Sequence, residues 1–169
     1  MFSNTVRITL LSVAALVAAF FGIAGLWLQM TAAIVMIILL AAGYFLNGTV
    51  FLALRKMSKN DFAGAERLLR MVKYPKYLAP AQKAYFDMIS GLIEAQKGNY
   101  QIAAARLEQA LLKGLRSQHD KAVACLNLAA IYYNLGNKSK AFRYLSEAKN
   151  NKPSPVLQAK IDELDSVLG

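Results

Sequence analysis

Charge is almost absent from the first third of this chain: before residue 55 the one charged side chain is Arg7. Histidine and cysteine are nearly absent throughout. One thiol, Cys125, excludes an intramolecular disulfide and a multi-cysteine zinc site. The lone histidine, His119, is expected in a polar loop, without a nearby nucleophile or base to work with. No glycine-rich phosphate loop, metal-ligand pair or nucleophile elbow occurs. These gaps predict a protein that is not an enzyme and carries neither metal nor cofactor.

What is present falls into two parts. Residues 1–54 are apolar, whereas the rest holds 19 of the 20 Lys/Arg and all 10 Asp/Glu. Two uncharged runs, 8–28 and 31–54, are each long enough to span a bilayer, which takes about 20 apolar residues. Only Gln29 and Met30 separate them, with Trp27 beside the break, as interfacial aromatics are. The first run exceeds the roughly 7–15 residues of a signal-peptide core. The sequence therefore predicts a transmembrane hairpin over 1–54. Arg7 on one side and Arg55, Lys56 and Lys59 on the other predict that both termini are cytoplasmic, in a bacterial cytoplasmic membrane. Ala14, Ala18 and Gly22, with Gly43 and Asn47 on the second run, have the four-residue spacing that lets membrane helices pack closely. Such a stripe serves the hairpin itself, a homo-oligomer or a neighbouring membrane protein.

From residue 53 onward a 38-residue period appears. Ala53, Gly91 and Ala129 recur at that spacing, as do Asn60-Asp61, Gly98-Asn99 and Gly136-Asn137, then Ala65, Ala103 and Ala141, then Leu69, Leu107 and Leu145. A fixed period of this size marks stacked supersecondary units. Glycine or asparagine ends one helix in a left-handed turn, and the next residue caps its partner. Small residues mid-helix allow close crossing, with leucines filling the space beside it. The expected helices are 81–97, 100–112, 120–135 and 138–150. Phe62 to Val72 packs on the end of the second apolar run, and a capping helix over 156–168 starts after Ser154-Pro155.

The stretches AYFDMISGLIEAQKGNYQIAAARLEQAL and ACLNLAAIYYNLGNKSKAFRYLSEAKNNKP resemble the tetratricopeptide repeat family. The family's unit is about 34 residues; the loop 113–118 absorbs the excess. Asp87 and Cys125 stand where the family has a large aromatic. The whole reads as an all-α protein: a transmembrane hairpin (1–54), a TPR-like solenoid (55–153) and a capping helix (154–169).

The resemblance implies a groove lined by the first helices of successive repeats. Here that groove maps to Tyr85, Met88, Leu92, Val123, Leu126 and Tyr133. Its apolar character suits an amphipathic helix or apolar segment of a partner protein. The family's clamp for acidic peptide termini is not expected, since only Asn127 matches it. The cap helix or a second copy of the chain could also occupy the groove. Basic residues spread over every helix argue against nucleic acid and suit attraction to anionic lipid. The expected function is a membrane-anchored adaptor or assembly factor. Alternatives are a structural subunit of a membrane complex and a peripheral part of a transport or secretion apparatus.

Overall fold

The computed structural model describes residues 27–168, with Ser12, Val13, Leu16 and Ala19; side chains are described at those four, at 29–37 and at 48–168. Every regular element among the described residues is helical. In chain order these are α1 (Trp27–Met57), α2 (Phe62–Arg70), a 3-10 turn (Pro75–Tyr77), α3 (Pro80–Gln96), α4 (Tyr100–Lys113), α5 (Gln118–Asn134), α6 (Lys138–Asn150) and α7 (Pro155–Leu168). The chain divides into two compact units, Met1–Gly48 and Thr49–Gly169.

The amino-terminal reading needs correction. Gln29 and Met30 make no turn; α1 runs straight through them. Both are good helix formers, and no glycine or proline interrupts the backbone there. Among the described residues no helix is long and apolar enough to cross a membrane. That finding overturns the predicted transmembrane hairpin and the predicted integral placement in a bacterial cytoplasmic membrane with cytoplasmic termini. The physical reason is visible at the end of α1. Val50 and Ala53, part of the run assigned to the bilayer, are buried against protein, packing with Ala65, Leu69, Leu78, Ile89 and Ile93. Ala14, Ala18 and Gly22 lie outside the described residues, and Gly43 and Asn47 lie in α1 with side chains outside them.

From Thr49 onward three turns share one geometry. Asn60, Gly98 and Gly136 have φ of 58°, 80° and 75°. After each, the next amide reaches back five residues: Asp61 N donates to Lys56 O at 3.0 Å, Asn99 N to Glu94 O at 2.9 Å and Asn137 N to Tyr132 O at 2.8 Å. The turn residue's own amide reaches back three, to Met57 O, Ala95 O and Tyr133 O. This paired pattern is the Schellman motif, which satisfies the carbonyls left over at a helix end and favours a residue that tolerates positive φ. The following helices are capped from the side chain in two cases, Asp61 accepting from Gly64 N and Asn137 from Lys140 N. Asn99 forms no such cap; its side-chain amide donates to Glu94 instead.

The small residues sit at the crossings. A Cβ on Gly91 would lie 2.8 Å from Leu107 Cγ and 3.1 Å from Ala103 O, so α3 and α4 touch there. Ala129, Ala141 and Leu145 are equally enclosed between α5 and α6. A second core runs from Ala84 on α3 to α7, which closes it with Leu157, Ile161 and Leu168.

Candidate functional site

The first helices α3 and α5 are stitched side by side. Tyr85 Oη on α3 donates to Asp120 Oδ2 on α5 at 2.8 Å. Burial and the Asp120 carboxylate hold this phenol above its ordinary pKa, which keeps it a donor. The six residues mapped to a groove are not equivalent. Met88 and Leu126 lie in the core. Tyr85, Leu92 and Val123 are half-buried against it, and Tyr133 is exposed. Accessible surface remains at Tyr85, Leu92 and Val123 and is largest at Tyr133. Sequence periodicity assigns a residue to a helix face, but how deep that face lies depends on which helices pack around it.

The position where the family carries an aromatic is chemically split. Asp87 is 3% exposed and accepts from Arg106 Nη1 at 3.1 Å and from Lys113 Nζ, tying α3 to α4. Thirty-eight residues on, Cys125 is fully buried. Burial, then the Glu147 charge, pushes its thiol up to about 12, so it stays protonated and unreactive.

A second polar cluster joins α4, α5 and α6. Glu108 Oε1 accepts from Tyr132 Oη at 2.7 Å and from Tyr144 Oη at 2.8 Å. The two rings stack 5.7 Å apart within 5° of parallel. Lys140 Nζ lies 4.5 Å above the Tyr132 ring and Arg143 sits 4.6 Å from that of Tyr144. Burial and the Glu108 carboxylate push the Tyr144 phenol up to about 12. Beside it opens a shallow cleft of about 350 Å³, lined by Glu108, Leu111, Leu112, Arg143, Tyr144 and Glu147. The geometry makes this a structural brace: one carboxylate oxygen ties both phenols, and a cation lies against each ring.

His119 lies on the exposed first turn of α5, not in a loop. Among the described residues no group of three His, Cys, Asp or Glu side chains could hold a metal ion. On α2, Glu66 pairs with Arg70 at 2.7 Å and Lys97 at 2.8 Å; those bonds, Lys97 first, hold its carboxyl below the usual range. The segment joining α2 to α3 presents Met71, Tyr74 and Tyr77 to solvent, a surface that the repeat pattern does not reveal. Its signal was nonetheless in the letters: lysine and tyrosine interleave in MVKYPKYL.

No family model matches the chain, and neither a curated protein nor a solved structure matches it.

Proposed function

We propose that this chain is a helical-repeat interaction module, TPR-like in design, that acts as an adaptor by holding a segment of a partner protein. The observation that carries the reading is the threefold Schellman turn at a 38-residue spacing, which builds successive hairpins and sets α3 beside α5. Arrays of this kind work by presenting adjoining first helices as an extended surface. On this chain that surface is the strip of Leu92, Val123 and Tyr133. A half-apolar strip suits an amphipathic partner helix, whose apolar residues at every third and fourth position would lie along it. Asp87 and Glu108 are used for architecture, each tying helices together, and Cys125 is enclosed.

Affinity purification from the native cells, with the full chain as bait, tests this reading. Val123→Ala/Tyr133→Ala should lose specific partners while the chain stays folded by circular dichroism, because neither residue is fully buried. A partner set identical to wild type would sink the proposal.

A further inference from the structure

The linker between α2 and α3 is built to present rather than merely to connect. Val72 and Leu78 turn inward and pack on the first core. Between these anchors the chain carries Lys73, Tyr74, Pro75, Lys76 and Tyr77. Met71, Tyr74 and Tyr77 are 70%, 62% and 70% exposed. Three large exposed side chains within seven residues are a patch, not the scatter of single apolar residues that any surface shows.

The patch is also ordered. Pro75 opens a 3-10 turn, closed by Tyr77 N donating to Tyr74 O at 3.1 Å and Leu78 N to Pro75 O at 3.3 Å. The tyrosine rings meet edge to face at 6.1 Å, and Lys76 Nζ lies 4.9 Å over the Tyr77 ring. Holding side chains in place before a partner arrives removes part of the ordering cost of binding.

Charge identifies the partner's chemistry. The nearest acidic groups in sequence are already spent, Glu66 on Arg70 and Lys97 and Asp87 on Arg106 and Lys113. Among the described residues Lys73 and Lys76 form no ion pair. Two ordered tyrosines flanked by two unneutralised ammoniums call for an anionic occupant. A nucleic-acid strand stacks its bases on open aromatic faces, but here Lys76 covers one face of Tyr77 and the rings stand 61° apart. Recognition of anionic lipid uses clusters of about four to eight Lys/Arg, and this linker holds two lysines. A protein segment uses everything the patch offers: carboxylates for the ammoniums and phenols, and an apolar side chain against Met71. Tyrosine is among the residue types enriched at interface hot spots.

We propose that Met71–Tyr77 is a docking surface for an acidic segment of another protein, in which Asp or Glu alternate with apolar residues. It is separate from the strip on α3 and α5 and does not depend on that strip binding anything.

The test is fluorescence anisotropy with the full chain and a labelled peptide of about 12 residues alternating Glu and Leu, beside a twin carrying Gln for Glu. Wild type should bind the Glu peptide, more weakly as salt rises, and not the twin. Lys73→Gln/Lys76→Gln and Tyr74→Ser/Tyr77→Ser should each weaken binding by about tenfold or more. Lys138→Gln/Lys160→Gln removes the same charge from exposed positions elsewhere and should change it by less than about twofold. All these side chains are exposed, so the variants keep the fold, which circular dichroism checks. The proposal is overturned if the Glu peptide does not bind at low salt, if the loop variants bind it like wild type, or if the control pair weakens it as much as the loop pair. It is equally overturned if phosphatidylserine vesicles or an oligothymidylate, and not the peptide, bind in a loop-dependent way.

Discussion

The hairpins α3–α4 and α5–α6 have the same backbone plan and opposite interiors. Both cross at a small residue, Gly91 in one and Ala129 in the other, and both turn on a left-handed glycine. Yet the first buries a carboxylate, Asp87, answered by Arg106 and Lys113 from the facing helix. The second puts a neutral thiol at the matching position, and Tyr144 stands where Arg106 would be. The difference teaches that the period encodes shape. Small residues and turn residues recur because the backbone requires them. Polar residues inside the hairpins vary freely as long as each copy satisfies its own groups.

Swapping the two interiors is the strongest way to break the comparison. Cys125→Asp places a carboxylate at a fully buried site with no cation on the facing helix at the matching position. It should cost about 3–5 kcal/mol in urea denaturation, the scale for an uncompensated buried charge. Asp87→Cys should cost only about 1–2 kcal/mol, since the Arg106 and Lys113 side chains, 50% and 26% exposed, can turn to water. Equal costs would mean that the two sites are not distinguished by their partners. Next comes the crossing. Gly91→Ala forces a methyl against Leu107 and should cost about 1–3 kcal/mol by overpacking. Ala129→Gly should cost about 1 kcal/mol through backbone entropy instead. A stabilised Gly91→Ala protein would show that α3 and α4 do not meet there.

The turns give a smaller effect. Gly98→Ala and Gly136→Ala should each lose about 1–2 kcal/mol, because both residues sit at positive φ, whereas Asn60→Gly should be close to neutral. Similar losses at all three positions would blur the distinction between the asparagine turn and the glycine turns. The smallest effect is a pH slope. The folded Cys125 thiol keeps its proton to about pH 12, while in the unfolded chain it ionises near its ordinary value of 9.0. Above pH 9 the unfolded state therefore binds fewer protons, so stability is complete below that pH and falls as pH rises towards 12. Between pH 9 and 10 the loss from this one group is about 1 kcal/mol. Cys125→Ala should flatten the stability–pH profile between 9 and 10 relative to wild type; parallel profiles would assign the slope to other groups.

What could be read from the letters was what the backbone demands locally. Asn60, Gly98 and Gly136 announced their turns because few residues tolerate positive φ, and α6 spans the residues that Asn137 and Lys138 predict. What could not be read was set by contacts distant in sequence. Asp87 finds its cations 19 and 26 residues away. Met88 and Leu126 are on the first helices as expected, yet neighbouring helices bury them. The Gln29-Met30 break misled for the opposite reason. A polar residue in an apolar run resembles punctuation, but it changes solvation without bending a helix.

One feature of α1 bears on how this gene can be cut. Charge returns at Arg55, and a cloner or a recombination event guided by composition would start the soluble-looking fragment there. Val50 and Ala53 would be left behind, and Leu69, Ile89 and Ile93 would lose the wall they pack on. A fragment beginning at Thr49 keeps it. The border written in charge and the border written in packing lie less than two turns apart on one helix, and only the second keeps that core whole.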